Sequence, residues 1–170
     1  MNVVEKAKEL AKKAHKGQKY GEHDYYDYHL LGVANILEEN AKTFLGEDYQ
    51  MYWVNNKLTK DCLIAGAILH DLEEDTSFSI SKHPSTNPQG FPDLVVNIVL
   101  GMTKRNGDTY FDYIKRLSTN SGPTIRAVKL ADLTFNIQES KKRELNGYEK
   151  QRLDKYKLAR HILMPYGRIK

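Results

Sequence analysis

The chain has 170 residues, 40% hydrophobic and 28% charged, which fits one domain of ordinary size with a real core and excludes a low-complexity or disordered polymer. Its single cysteine, Cys62, excludes an internal disulfide framework and fits a reducing, cytoplasmic setting; no stretch is long and apolar enough to span a membrane. Lysine and arginine exceed aspartate and glutamate by 26 to 22, a net charge of +4: enough to help attract a phosphorylated anion, but too evenly spread to favour nucleic acid as the partner.

Periodicity predicts helix along most of the chain. Val3, Val4, Ala7, Leu10, Ala11 and Ala14 recur at helical spacing with lysines opposite, a first amphipathic helix without the apolar core of a signal peptide. Gly17 to Tyr28, rich in Gly, Tyr, His and Asp, reads as a loop. A second helix is expected from about His29 to Lys42, burying Leu31, Val33, Ala34, Ile36 and Leu37. Between Gly46 and Asn56 the pattern weakens, with Tyr49, Tyr52 and Trp53 available to cover the core. Thr59 reads as the N-cap of a third helix whose run Cys62-Leu63-Ile64-Ala65-Gly66-Ala67-Ile68-Leu69 is apolar on every side, as suits a central helix, with Cys62 a small core residue. Ser77 to Gly90, with Pro84 and Pro88, reads as a connection.

Pro92 suits the first turn of a helix through Leu100, closed near Gly101, although the β-branched residues Val95, Val96, Ile98 and Val99 leave a strand as the alternative. Asp108 or Thr109 opens another helix with Tyr110, Tyr113, Ile114 and Leu117 inward. Ser121-Gly122-Pro123 opens the next, reaching about Gln138, and Tyr148 to Met164 makes the last, with Leu153, Tyr156, Ala159 and Ile162 on one face. No period-2 alternation is long enough for a sheet. The expected architecture is an all-α orthogonal helical bundle spanning residues 1–170 as a single domain.

The pair His70–Asp71 ends the most apolar helix, where two ionisable residues are costly to bury unless something satisfies them. Imidazole and carboxylate are suitable ligands for a first-row divalent cation, and adjacent helical residues converge on one ion only at a helix end or with help from other helices. A helix-terminal histidine favoured by the dipole is the alternative. The acidic run Glu73-Glu74-Asp75 follows at once; Glu74 and Asp75 could orient or deprotonate water, or form a solvated acidic loop. His29 opens the second helix. Asp132 stands among Val128, Leu130, Ala131 and Leu133 and needs a partner, with Asn136 one turn on.

Taken in order, His15-Lys16-Gly17-Gln18, Tyr26-Asp27-Tyr28-His29, Gly32-Val33-Ala34, Ala67-Ile68-Leu69-His70-Asp71-Leu72-Glu73-Glu74-Asp75-Thr76, Gly90-Phe91-Pro92, Thr103-Lys104-Arg105 and Val128-Lys129-Leu130-Ala131-Asp132-Leu133 with Asn136 resemble the RelA/SpoT-like branch of the HD superfamily of metal-dependent phosphohydrolases, in the single-domain form of the metazoan SpoT-like hydrolases. The resemblance covers roughly Ala7 to Tyr156. It implies the HD-domain fold, and His29, His70, Asp71 and Asp132 as ligands of one divalent ion, usually Mn2+. By position it makes Glu74 and Asp75 the pair that handles the attacking water and Asn136 a polar residue beside the substrate. The implied activity is removal of the 3′-pyrophosphate from guanosine 3′,5′-bis(diphosphate), (p)ppGpp, a small-molecule nucleotide substrate. Lys129, Lys104, Arg105 and Arg126 are phosphate-binding candidates, Lys129 first among them, with a surface ion pair as its other reading. His15 is divided between a packing and a substrate role; His23, His83 and His161 read as surface or structural.

Three places depart from the resemblance, one being the threonine expected just beyond Asn136, where Gln138, Glu139 and Ser140 stand. Lys19-Tyr20 stands where alarmone-active members carry an arginine against guanine; Tyr20 could stack on a base but brings no charge. Tyr25 stands where a proline is expected. A phosphatase of another nucleotide, such as a nucleoside monophosphate or a phosphorylated dinucleotide, and a non-catalytic nucleotide-binding module are the rival readings. Homo-oligomerisation is left open.

Overall fold

A computed structural model describes residues 2–80 and 90–165. Eight α-helices are found among the described residues: α1 Val3–Ala14, α2 Leu31–Leu45, α3 Lys57–Ile68, α4 Leu72–Asp75, α5 Asp93–Met102, α6 Tyr110–Asn120, α7 Pro123–Ser140 and α8 Gly147–Leu163. The strand alternative for Val95–Val99 is excluded: this segment is the buried face of α5. Branched side chains that are poor helix formers in water are tolerated there because tertiary packing outweighs propensity. Pro84, Pro88 and His83 lie outside the described residues.

Central helix α3 buries every residue from Cys62 to Ile68 and packs against α1, α2 and α5. Helix α7 lies across α2 and is backed by α8, and this α2–α7 contact is the most extensive in the fold. Its closeness depends on Gly32: a Cβ there would come within 2.9 Å of the Phe135 ring. Likewise a Cβ on Gly66 would meet Ile98 at 2.7 Å, so α3 and α5 touch backbone to side chain. No described helix is long and apolar enough to cross a membrane.

Local chemistry sets most boundaries. Thr109 and Asp112 form a reciprocal capping box at the start of α6, and Asn146 and Glu149 do the same for α8. Pro123 occupies the first turn of α7, where its missing N–H costs nothing. Four expectations are corrected. Asn56, not Thr59, caps α3, its side chain accepting the Thr59 N–H at 3.0 Å; two asparagines in a row hide the cap in the sequence. The presumed loop before the second helix holds a two-residue antiparallel hairpin, Lys19–Tyr20 with His23–Asp24, turned at Gly21 with φ of +61°. From Tyr26 the chain is already coiled, in a wide turn closed by the Leu31 N–H on the Tyr26 carbonyl, so His29 sits inside a turn instead of opening a helix. On α8, Ile162 is 39% exposed and Leu163 takes the buried place, one residue out of the inferred phase.

Candidate metal centre

Three elements deliver the polar residues of the core. Helix α3 ends at Ile68, and Leu69 to Asp71 form a tight turn in which the Leu72 N–H bonds the Leu69 carbonyl at 2.9 Å before α4 begins. This break lets the neighbours His70 and Asp71 face one point, which a continuous helix forbids. His29 comes from the wide turn before α2, and Asp132 from the middle of α7. One donor atom each of His29, His70 and Asp132 lies within 4.8 Å of the others, and all three residues are buried. Asp71 joins them: its Oδ2 stands 2.9 Å from His70 Nε2 and 3.2 Å from His29 Nε2. Asp132 Oδ1 is 3.7 Å from both nitrogens.

These atoms converge without satisfying one another. His70 Nδ1 lies 2.8 Å from the Ala67 carbonyl, so that nitrogen carries a proton, and Nε2 is the one aimed inward, a ligand once its own proton is displaced. Despite its short approach to Asp71, Nε2 has no hydrogen-bond partner among the described residues. A buried imidazole oriented through its other nitrogen by a carbonyl, facing two carboxylates, is the arrangement that a divalent cation satisfies. Two nitrogens and two carboxylate oxygens are a donor set suited to a first-row metal.

Charge in the cluster is strongly coupled. Burial favours the neutral form of His70, but the Asp71 charge and the contacts with Asp132 and Asp71 outweigh it, and its pKa is pushed up to about 10. Burial would raise Asp71 as well; the His70 charge and the two imidazole contacts instead hold it well below the usual carboxylate range. Asp132 is also held well below that range, against its own burial, by the Lys129 ammonium and His70. Lys129 Nζ donates to Asp132 Oδ2 at 2.9 Å and lies over the Tyr113 ring, 5.2 Å from its centroid. The ion pair expected at the surface for Lys129 is therefore an inner one, its side chain only 14% exposed.

The solved structure of a metazoan ortholog of SpoT that hydrolyzes ppGpp and plays a role in starvation responses superposes on this chain with a TM-score of 0.67, at 19% identity, covering 96% of this chain and 84% of the other. The chain has the HD-domain fold. A probable GTP pyrophosphokinase of Mycobacterium leprae (strain TN) is 28% identical over 147 residues, 81% of this chain, and the chain spans 16% of the length of that relative. No family model matches the chain.

Around the HD-fold cluster the other candidate residues take distinct places. Asn136, one turn beyond Asp132, donates its Nδ2 to Asp132 Oδ1 at 2.7 Å. Asp75 accepts from Gln18 Nε2 at 3.1 Å, and Gln18 Oε1 lies 2.7 Å from His15 Nδ1, so His15 is buried as part of a chain leading to Asp75. Glu74 accepts the backbone N–H of Lys104. Both acids are exposed; the Asp75 charge is felt by Tyr25 and the Glu74 charge by Tyr113. Lys104 and Arg105 are exposed on the segment after α5. Tyr20 turns inward, its ring stacked on His29 at 5.2 Å and 9°, its hydroxyl donating to Asn136 Oδ1 at 3.0 Å.

Tyr25 was not foreseen as part of this site. Its hydroxyl donates to Asp71 Oδ2 at 2.6 Å, and burial, with the Asp71 charge and this bond, holds its phenol far above the ordinary tyrosine value. The available signal was its position four residues before His29, which shares one face of a coil with it. His23 and His161 stay apart from the cluster: His23 stacks on Tyr28 at 4.0 Å, and His161 is exposed in the last turn of α8.

Proposed function

We propose that this protein is a metal-dependent phosphohydrolase acting on a phosphorylated nucleotide, with a guanosine 3′,5′-bis(diphosphate) 3′-pyrophosphohydrolase activity as its leading reading. One observation carries the proposal: two imidazoles and two carboxylates from three separate elements meet in the core around His70 Nε2, which has no hydrogen-bond partner among the described residues. The fold shared with a ppGpp-hydrolysing protein supports the substrate class.

His29, His70, Asp71 and Asp132 would hold the ion, Mn2+ in the leading reading. Bound there, a divalent cation supplies Lewis acidity that activates water and offsets charge on the phosphate. Two carboxylates set against a divalent ion and Lys129 leave a residual positive charge, which suits an anionic ester. Glu74 and Asp75 orient the water and carry its proton away, help worth roughly 10²–10⁴-fold in rate. Gln18 fixes Asp75 for that task. Asn136 orients the substrate from the Asp132 side, while Lys104 and Arg105, exposed beside Glu74, neutralise the distal phosphates.

A second reading, hydrolysis of another phosphorylated nucleotide, is favoured by one feature. Tyr20 brings no cation to the position where guanine alarmones are gripped, and its hydroxyl is already engaged by Asn136. Purified protein with Mn2+ is incubated with a panel of nucleotides that includes ppGpp, and pyrophosphate and orthophosphate are followed separately. Pyrophosphate from ppGpp alone supports the first reading, orthophosphate from monoesters the second. Binding without turnover on every member would refute both in favour of a nucleotide-binding module. Asp71→Ala is expected to abolish bound metal and turnover together; activity surviving in that variant would break the ligand assignment.

A further inference from the structure

Each carboxylate of the metal cluster ends on a phenol. Asp71 Oδ2, the oxygen facing both imidazole nitrogens, accepts the Tyr25 hydroxyl directly at 2.6 Å. Asp132 Oδ1, its counterpart from α7, accepts Asn136 Nδ2 at 2.7 Å, and Asn136 Oδ1 accepts the Tyr20 hydroxyl at 3.0 Å. Because an ionised carboxylate only accepts, Asp132 selects the orientation in which Asn136 gives it the N–H, and the Tyr20 hydroxyl holds the amide there from its oxygen end. Both phenols come from the short stretch that carries the hairpin and the wide turn.

Neither ring is free to swing away. Tyr25 is 9% exposed, stacked on His15 with centroids 5.3 Å apart and planes 21° from parallel, and tilted against His29 at 4.9 Å. Tyr20 is stacked on the same imidazole with centroids 5.2 Å apart, lies 6.4 Å from the Tyr25 ring and meets Phe135 edge-on at 5.5 Å. His29 is thus held by two tyrosines whose hydroxyls go to the two carboxylates. One aromatic unit therefore fixes three of the four candidate ligands: His29 through ring contacts with both tyrosines, Asp71 through Tyr25, and Asp132 through Tyr20 and Asn136.

We propose that Tyr25 and Tyr20 are positioning residues of the metal centre, which hold the Asp71 and Asp132 carboxylates in ligand geometry and so set its affinity for the ion, with Tyr20 serving the ligand shell and not a nucleobase. The proposal rests on the reading of His29, His70, Asp71 and Asp132 as a metal site. Outer partners of this kind are worth 10- to 100-fold in metal affinity. Tyr25 bonds a ligand oxygen directly; Tyr20 acts through Asn136, whose own bond to Asp132 survives without it. The effect of losing Tyr25 therefore exceeds that of losing Tyr20.

The test uses the full chain and the metal alone. Wild type, Tyr25→Phe, Tyr20→Phe and a control, Tyr26→Phe, are stripped of metal and titrated with Mn2+, free ion being counted by its electron paramagnetic resonance signal. The visible spectrum of each Co2+-loaded protein is recorded alongside, together with thermal unfolding in EDTA. Phenylalanine keeps every ring contact and removes only the hydroxyl. Tyr26, buried beside the others, directs its electrostatic contacts toward Lys8 and Glu5 of α1, away from the cluster. The expected result is Mn2+ affinity weakened about 10- to 100-fold in Tyr25→Phe, less in Tyr20→Phe, and unchanged in Tyr26→Phe, with the Co2+ bands shifted in the first two. A role confined to packing would lower the melting temperature in EDTA and leave the Co2+ spectrum where it was, which overturns the proposal. Equal affinity in wild type and both site variants overturns it as well while leaving the metal site intact. Wild type that binds no Mn2+ overturns the metal reading itself, and this inference with it.

Discussion

Replacing Lys129 by methionine keeps the apolar stem and removes one charge from the centre of the fold. Lys129 Nζ lies 2.9 Å from Asp132 Oδ2, with the two side chains 14% and 10% exposed. At an effective dielectric constant of about 20 the attraction at that separation is about 6 kcal/mol before the cost of desolvation. Breaking such a pair from one side leaves an uncompensated buried carboxylate, a loss of about 3–5 kcal/mol. In a chain of this size that lowers the melting temperature by roughly 6–20 °C. The loss belongs to the metal-free protein. A divalent ion held by His29, His70, Asp71 and Asp132 gives Asp132 a second counterion, so Lys129→Met with excess Mn2+ should lose only about 1 kcal/mol, the value of an ordinary contact. By linkage, the difference of roughly 2–4 kcal/mol appears as metal affinity on the order of 30- to 700-fold tighter in the variant. Calorimetric unfolding in EDTA and in Mn2+, with both proteins, closes the cycle. Equal destabilisation in the two conditions would show that Asp132 and the ion do not interact, and the ligand set would fail with it.

Metal uptake should depend on pH through His70. Its pKa stands at about 10 in the metal-free fold, so near neutrality the ion must displace a proton, and affinity should rise with pH; titration heats that do not vary with the ionisation enthalpy of the buffer would contradict this. The same shift has a stability consequence. Because the folded value of His70 lies above the unfolded one of about 6.5, its contribution is complete below that pH and is lost as pH rises toward 10, whereas those of Asp71 and Asp132, whose values are depressed, are lost on acidification. Unfolding in EDTA across this range should therefore show a maximum between the two limits, and a stability that climbs monotonically to pH 10 would refute the sign. Gly32→Ala, although alanine favours helix by about 1 kcal/mol, should destabilise by about 1–2 kcal/mol net because its Cβ collides with Phe135. Phe135 rests edge-on against His29 at 4.8 Å, so Mn2+ affinity should fall as well; a neutral or stabilising result would mean that α2 and α7 separate freely. Asn56→Ala should cost about 1 kcal/mol in chemical denaturation through loss of the α3 cap, while Thr59→Ala should cost less; the reverse order would restore Thr59 as the cap.

The sequence by itself determined the helical class, the order of the helices and the buried face of most of them, because a period of 3.6 in apolar side chains is a local property that survives in one dimension. It also singled out His70–Asp71 and Asp132, since ionisable groups in apolar runs are anomalies that need no coordinates to notice. Caps and turns were only half legible: Asn56 and Thr59 satisfy the same local grammar, and the geometry of the backbone chose between them. What tertiary structure alone decided was which groups meet. His29 and Asp132 are more than a hundred positions apart, and only the close α2–α7 crossing at Gly32 brings them to the turn after α3. Lys129 reads as a phosphate-binding candidate or a surface-paired cation, and only the fold sets its ammonium on Asp132 and over the Tyr113 ring; Tyr25 reads as a loop residue until its hydroxyl finds Asp71. Hydrogen bonds and charge pairs act over a few ångströms of space, and distance along the polymer does not encode that separation.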